Sequence, residues 1–224
     1  MIVSADLAGA DAQVVAWESE EEEWKDALRK GMKLHSIISI EREGTDAAPH
    51  YDMYKRRIHA TDYGGSARTI YQTLAGAYGN KYTSEAKEEE FQSYWFERFP
   101  GILKWHKRVE KSTKETYGVR NQFGNRIVFQ DRPKDVFTKA LAWIPQSTVA
   151  LTCEKGAVLL IENFPYVQGL SQVHDSFDFQ IPKSKLHKLP EIQEALNSIS
   201  IPYKDPLRIP WDLKISDKSW GDCT

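Results

Sequence analysis

The sequence predicts an α+β protein in which an antiparallel sheet, built from the two ends of the chain, is interrupted by a long helical insertion. Two β-prone stretches carry this prediction, residues 2–5 at the start and the hairpin pattern of residues 169–181 near the end. Between them, apolar residues recur mainly at helical spacing. Because the β-prone pieces lie at opposite ends of the sequence, we expect one sheet domain with packed helices, interrupted by a helical lobe.

The later β-prone stretch predicts two short strands, residues 170–173 and 177–181, joined by a tight polar turn. We expect its apolar residues to pack into the sheet, namely Val173, Phe177, Phe179 and Ile181. His174, Asp175 and Ser176 are left at the tip. An acid on a hairpin tip is well placed to bind a divalent cation, but one carboxylate makes a poor site. Taken alone, Asp175 fits an ordinary turn residue.

A second acid is predicted at a strand end by the first residues of the chain. The β-prone run of residues 2–5 delivers Asp6 to its C-terminal edge, and Asp11 follows at the start of a helical pattern. Mg²⁺ is usually held by one or two carboxylates, with the other positions left to water and substrate phosphate. The pairing of Asp6 with Asp175 therefore favours a metal site over two unrelated polar residues.

The segments between and after these acids are predicted mostly as helices. Residues 13–33 form a helical pattern with an acidic face, for which a solvated helix surface is the favoured interpretation. Gly44, Asp46 and Pro49 indicate a loop over residues 41–50. The remaining predicted elements are helices over 51–61, 67–78, 85–98 and 100–117, a hairpin over 119–129, a helix from 136 to 160 that pauses at Pro145, a helix over 190–198 and an irregular tail over 202–224.

Composition limits the class of protein. A chain of 224 residues with 41% hydrophobic residues and seven Trp can bury a sizeable core. The net charge of −2 carries no global basic signature, so nucleic-acid binding would need a local patch. Cys153 and Cys223 belong to no Cys or His cluster, which argues against structural zinc and fits a reducing compartment. With no apolar run of membrane-spanning length, we expect a cytoplasmic protein without membrane contact.

One predicted helix carries a stripe suited to a nucleotide. Lys55, His59 and Tyr63 are spaced four residues apart, so they follow one helix face. Lys55 and His59 can bind phosphate oxygens, and Tyr63 can stack on a base or sugar. On spacing alone, a basic surface helix with its Tyr packed in the core is the favoured interpretation.

The ordered set of motifs resembles the family A DNA polymerases, the bacterial DNA polymerase I type, and particularly their phage branch. Asp6–Gln13 resembles the first motif of that family, Lys55–Gly64 the second, and Val173-His174-Asp175 the third. Further similar stretches fall between them, at 33–35, 96–101, 124–126 and 145–147. The resemblance covers nearly the whole chain in the order of the family.

That resemblance implies a polymerase palm that carries the catalytic acids and helical fingers that close over the incoming nucleotide. It places palm at residues 1–25 and 136–224 and fingers at 26–135. By the same analogy, Asp6 and Asp175 are catalytic and bind two Mg²⁺ ions, with the Leu7 carbonyl as an extra ligand. The implied reaction is template-directed attack of a primer 3′-hydroxyl on a dNTP.

The resemblance also implies roles for the other motif residues. Asp11 stands at the position of the acid that excludes ribose, and Tyr63 at the aromatic position beside the nucleotide sugar and base. Lys55 and His59 stand where the polymerase I pattern has Arg and Lys, and a neutral imidazole binds phosphate more weakly than an ammonium. The implied primer-template contacts are Gln13, Arg126, Gln146 and His174.

The largest departure from the family is at the N-terminus, where Asp6 follows only five residues. The resemblance leads us to expect that the thumb and exonuclease are absent from this chain. Either the chain is a fragment of a longer polymerase, or it is one subunit of a polymerase encoded in pieces, in the cytoplasm of a host cell if it is phage-encoded. A separate polypeptide or a missing N-terminal region would then supply the thumb and the exonuclease.

Two other functions remain open from the sequence. A non-catalytic nucleic-acid-binding remnant of a polymerase would keep this fold without turnover, and the pair of acids speaks against it. A metal-dependent nuclease would use the same acids, but it gives no reason for the stripe at Lys55, His59 and Tyr63.

Overall fold

The structure is a computed structural model that describes residues 1–130 and 133–223, without the side chains of residues 133–135. Its helices are α1 Ala10–Ser19, α2 Glu22–Arg29, α3 Leu34–Glu43, α4 His50–Asp62, α5 Ala67–Tyr78, α6 Glu85–Arg98, α7 Pro100–Thr116, α8 Pro133–Asn163 and α9 Leu189–Asn197. Its strands are β1 Ile2–Leu7, β2 Gly118–Arg120, β3 Arg126–Val128, β4 Gln168–Val173, β5 Ser176–Gln180 and β6 Trp211–Ser216. The predicted α+β class is confirmed.

The chain divides into two compact units. The sheet unit comprises residues 1–14, 120–125 and 145–223, and the helical unit comprises residues 15–119, 126–130 and 133–144. The predicted palm and fingers, with borders at 25/26 and 135/136, stay predictions, because compactness does not identify functional subdomains. Residues 131–132 of the predicted fingers and residue 224 of the predicted palm lie outside the described residues.

The sheet unit is organised by a four-stranded antiparallel sheet in the order β4-β5-β1-β6. Strands from both ends of the chain pair in it, as the sequence predicts. One face is apolar, since Val3, Ala5 and Leu7 of β1 are fully buried and Phe177 and Phe179 of β5 are at most 6% exposed. The opposite face of β1 carries the alternate residues, including Asp6.

Two expectations for this sheet are wrong. The tail is not irregular, because β6 pairs along the whole of β1, from Ile2 opposite Ser216 to Leu7 opposite Trp211. The sequence did not predict β6 because its alternation of apolar and polar residues is short and because its partner strand β1 lies about two hundred residues away in the chain. Val173 does not pack into the core, because it lies in the edge strand β4 and is 41% exposed.

The helical unit has a core of aromatic residues. Trp24, Trp95 and Phe99 contact one another, with Trp95 and Phe99 rings 4.5 Å apart, and all three are at most 1% exposed. Ser66 and Ser84 cap α5 and α6 by accepting backbone N–H groups.

Three predicted helix boundaries are wrong. The pattern over 13–33 is two helices, α1 and α2, because the chain turns at Glu20, whose φ is 58°. The predicted loop begins too early, since α3 continues to Glu43 and ends where Gly44 takes a left-handed conformation. Pro145 does not interrupt α8, although a proline there leaves one helical carbonyl without its N–H donor. None of the helices among the described residues combines the length and apolarity needed to cross a membrane.

Candidate active site

The strand order of the sheet unit brings Asp6 and Asp175 together. Asp6 forms the last residue pair between β1 and β5, directly opposite Ser176 at the start of β5. The next residue, Leu7, donates its backbone N–H to the carbonyl of Asp175 at 3.0 Å. This bond extends the ladder by one residue and ties the tip of the β4–β5 hairpin to the end of β1. The two predicted catalytic acids are therefore held on neighbouring strands.

Asp6 lies near two other acidic side chains, Asp175 and Asp212. Burial raises the pKa of its carboxyl, and the charges of Asp175 and Asp212 raise it further. Lys214 is the cation that opposes them. Repulsion of this kind favours a bound cation, because a divalent ion lowers the energy of both carboxylates.

The donor set fits Mg²⁺ better than a transition metal. Among the described residues, no group of three or more His, Cys, Asp or Glu side chains could hold a metal ion. Asp6 and Asp175 supply two carboxylates, which is the protein share that Mg²⁺ usually takes when water and substrate phosphate complete its shell. Cys153 is fully buried, and its pKa is raised to about 12 by burial first and then by Asp175, so its thiol stays neutral.

Asp212 and Lys214 were missed from the sequence. They belong to β6, where Asp212 stands directly opposite Asp6 and Lys214 opposite Ser4. The signal that could have found them is the alternation Trp-Asp-Leu-Lys-Ile-Ser at residues 211–216, which is typical of a strand with one buried face.

The hairpin tip has an unusual backbone at His174. Its φ of 54° lies in the left-handed region, and its side chain is exposed. The Ser176 hydroxyl donates to the Val173 carbonyl at 2.9 Å and so closes the turn from the other side. The tip therefore presents His174 to solvent beside Asp175, and its predicted contact with primer-template stays a prediction.

The start of α1 carries two further predicted residues. Asp11 is half-buried in the first turn of that helix. Gln13 is 8% exposed, and its side-chain amide donates to the Ala8 carbonyl at 2.7 Å. In this structure Gln13 therefore braces the turn between β1 and α1, and its predicted role toward DNA is untested.

Gln146 and Arg126, the other predicted DNA contacts, belong to different units. Gln146 is exposed on α8 in the sheet unit. Arg126 is exposed on β3 in the helical unit, and its guanidinium donates to the Thr116 carbonyl at 2.8 Å. Both side chains are accessible to a ligand.

The predicted stripe forms on α4 of the helical unit. Lys55 and His59 are exposed, and Tyr63 is half-buried at the C-terminal cap of the helix. The His59 and Tyr63 rings pack with centroids 4.2 Å apart. The cation, the imidazole and the phenol thus follow one helix face.

The buried side of α4 is held by three polar contacts. Arg57 donates to both carboxylate oxygens of Glu88 at 2.7 and 2.8 Å, and both side chains are at most 5% exposed. Asp62 accepts the indole N–H of Trp95 at 2.8 Å, and its backbone carbonyl pairs with Nε2 of His106 at 2.7 Å. A carbonyl can only accept, so His106 carries its proton on Nε2. These contacts fix the helix that carries the stripe.

His35 lies near Lys55 of the stripe. It belongs to residues 33–35, one of the stretches that resemble the family, but the sequence assigned it no role. His35 packs against Tyr51 with ring centroids 4.5 Å apart, and its Nε2 is buried without a hydrogen-bond partner. Its pKa is lowered to about 4, by burial first and then by the charges of Lys55 and Lys33. Lys33 and Lys55 are exposed and form a cationic surface near the N-terminal half of α4, beside a His35 imidazole that is neutral near neutral pH.

The fold is that of a polymerase domain. The structure is similar to the POL domain of Pol1 from M. smegmatis, solved as a complex with DNA primer-template and dNTP, with a TM-score of 0.81 and 17% sequence identity. The similarity covers 95% of this chain and 39% of that one.

The family follows from the sequence. The profile of DNA polymerase family A matches residues 1–222, so the chain belongs to that family. It is 23% identical over 224 residues to a DNA polymerase I of Rhizobium leguminosarum, covering 93% of this chain and 22% of that protein. It is 21% identical over 220 residues to a DNA polymerase I of Bacillus caldotenax, covering 91% of this chain and 25% of that protein. The chain therefore spans about a quarter of the length of these relatives.

Proposed function

We propose that this chain is the catalytic palm and fingers part, or a subunit, of a family A DNA polymerase, and that it catalyses template-directed transfer of a nucleotide from dNTP to a primer 3′-hydroxyl. The observation that carries the proposal is the pairing of Asp6 and Asp175 at the ends of neighbouring strands, joined by the bond from Leu7 N–H to the Asp175 carbonyl at 3.0 Å. Family membership supports it.

Asp6 and Asp175 are the proposed ligands of two Mg²⁺ ions, with the Leu7 carbonyl as an additional oxygen. Bound ions of this type lower the pKa of an attacking hydroxyl and stabilise charge on a triphosphate and its leaving group. The work of the chain is to hold the two carboxylates close together at the ends of neighbouring strands. Asp212 and Lys214 adjust the local charge, since one raises and the other lowers the pKa of Asp6.

The nucleotide is the proposed ligand of the α4 surface. Lys55 and His59 donate to triphosphate oxygens, and Tyr63 contacts sugar and base. Lys33 and Lys55 support this assignment, because both lie close enough to His35 to lower its pKa after burial, and a polyanion would reduce the repulsion between the two ammonium groups. Asp11 is the proposed sugar-discriminating acid, and the proposed primer-template contacts are Gln13, Arg126, Gln146 and His174.

The test replaces each acid by its amide. Asp6→Asn and Asp175→Asn keep the size of the side chain but remove a metal ligand, so we expect extension of a labelled primer to fall by at least 10³-fold with the fold intact by circular dichroism. Gln180→Asn, an exposed change in strand β5, which follows Asp175, is the control and should extend at the wild-type rate.

Two outcomes would contradict the proposal. Extension by either amide variant near the wild-type rate would remove the acids from catalysis. Primer-template binding by a wild-type chain that never extends, in the presence of Mg²⁺ and any added polypeptide, would favour the non-catalytic remnant instead.

The proposed active form includes a thumb, supplied by a separate polypeptide or by further N-terminal sequence. Exposed apolar side chains of the sheet unit support a protein partner, since Val158 and Ile161 on α8 are 53% and 54% exposed and Leu170 on β4 is 50% exposed. We expect weak, salt-sensitive DNA binding and distributive extension from the isolated chain. Processive synthesis by this chain at physiological salt, measured with a heparin trap, would contradict the need for a partner.

A further inference from the structure

A buried carboxylate with no role in the proposed chemistry links three strands of the sheet. Asp178 in β5 is 2% exposed. One of its oxygens accepts from the Ser4 hydroxyl in β1 at 2.7 Å, and the other accepts from the Ser171 hydroxyl in β4, also at 2.7 Å. A single side chain thus connects the strand of Asp6 with both strands of the hairpin that carries Asp175.

Stability alone does not account for this arrangement. Burying a carboxylate costs free energy that two hydroxyl donors only partly recover, and replacing buried charged groups by apolar ones of similar size is often neutral or stabilising. The best attested benefit of such groups is that they select one pairing of secondary-structure elements over others.

The pairing at stake here decides where the catalytic acids lie. Asp178 is opposite Ser4, and this register sets Asp6 opposite Ser176 and brings Leu7 to Asp175. A slip of one residue would turn Asp6 to the other face of the sheet. The hairpin needs such a constraint, because the β4–β5 pairing shifts register between Gly169 and Ser171.

We propose that Asp178 is a positioning residue, whose hydrogen bonds to Ser4 and Ser171 hold the three-strand register that sets Asp6 beside Asp175. The inference rests on the proposed function, because the positioned acids are its metal ligands. Asp178 itself touches neither the metals nor the nucleotide in this scheme.

The test compares Asp178→Val with Asp178→Asn. Val suits a strand but removes both hydrogen bonds, whereas Asn keeps an acceptor for one hydroxyl and can pair with the other. For Asp178→Val we expect a melting temperature within a few degrees of wild type, but at least tenfold faster amide exchange at Leu7 relative to Val3 of the same strand. Mn²⁺ affinity, measured by electron paramagnetic resonance, should fall at least tenfold. Asp178→Asn should restore both within about threefold.

Gln180→Val is the matched control. It removes a side-chain hydrogen bond between β5 and β4, which Gln180 donates to Gln168 at 2.6 Å, but at an exposed position. It should change neither Leu7 exchange nor Mn²⁺ affinity. If Asp178→Val does not fold, Ser171→Ala removes only the link to the exposed strand β4, and it should raise Leu7 exchange at least threefold.

The outcomes separate this inference from the proposed function. The positioning role would be overturned if a folded Asp178→Val protein showed unchanged Leu7 exchange and unchanged Mn²⁺ affinity. If Asp178→Val does not fold, unchanged Leu7 exchange in Ser171→Ala would overturn it. Both results hold whether or not the wild-type protein extends primers. Faster Leu7 exchange in Asp178→Val, beside a wild-type protein without polymerase activity, would support the positioning role and reject the function.

Discussion

Gly156 is the position where a single methyl group should disturb the packing of the sheet unit. It lies in the interior of α8, and a Cβ built there would be 2.8 Å from Cζ2 of Trp211, 2.9 Å from Cη2 of the same ring and 3.1 Å from Cδ2 of Leu196. Trp211 and Leu196 are at most 1% exposed, so neither can move into solvent. Carbon atoms in contact prefer about 3.5–4.0 Å, so the ring must move by roughly 1 Å.

Two opposing terms set the expected effect of Gly156→Ala. An alanine in a helix interior is favoured over glycine by about 1 kcal/mol. Overpacking a buried site costs about 1–3 kcal/mol. The difference between these terms is a net destabilisation of up to about 2 kcal/mol, which for a chain of this size lowers Tm by up to roughly 8 °C.

The control has the opposite sign. Gly76 is in α5, and a Cβ built there meets nothing within 4 Å. Gly76→Ala should stabilise the protein by about 0.5–1 kcal/mol, because only the helix term applies. Urea unfolding followed by circular dichroism measures both variants. A Gly156→Ala protein as stable as Gly76→Ala would refute the packing argument.

Three further predictions concern the helical unit. Glu88→Gln should destabilise the protein by about 3–5 kcal/mol in urea unfolding, because it leaves the Arg57 guanidinium buried without its counter-charge; a loss below about 1 kcal/mol would contradict this. Burial raises the pKa of Asp62 well above its usual range. The folded protein therefore keeps a proton on Asp62 that the unfolded chain releases near pH 4, so the free energy of unfolding should decrease as pH rises above about 4. Asp62→Asn, which still accepts from Trp95, should flatten that decline between pH 4 and 8, and parallel curves for both proteins would exclude it. On the proposed function, Tyr63→Phe should increase discrimination against dideoxynucleotides in a chain-terminator assay, where equal termination would remove Tyr63 from the sugar pocket.

The parts of the site that the sequence could predict are those whose signals are local. The β-prone runs before Asp6 and on both sides of the tip at Asp175 predict strands that bring these acids to strand ends, and the structure pairs those strands. The i, i+4, i+8 spacing of Lys55, His59 and Tyr63 needs only helical geometry to form one face. Their catalytic and binding roles stay predictions.

The parts that could not be predicted depend on contacts between distant segments. Asp212 joins Asp6 only because β6 pairs with β1, and nothing near residue 212 identifies that partner. In the sequence, Asp178 is a polar residue between two phenylalanines, and this pattern is typical of a solvent-facing position in a strand. Its burial depends on Ser4 and Ser171 coming from two other strands.

The charges around Asp6 support a metal site on grounds independent of the family. Like charges directly opposite in an antiparallel pair destabilise it by up to about 1 kcal/mol, and a cation at that place would stabilise it instead. In β6, however, the acid Asp212 stands opposite Asp6, and Lys214 stands two residues away, opposite Ser4. Since Asp175 adds a third negative charge from the hairpin, the fold holds together acids that repel one another in the absence of a ligand. A cation bound among them would reduce this repulsion, and the proposed nucleotidyl transfer places divalent ions at these acids.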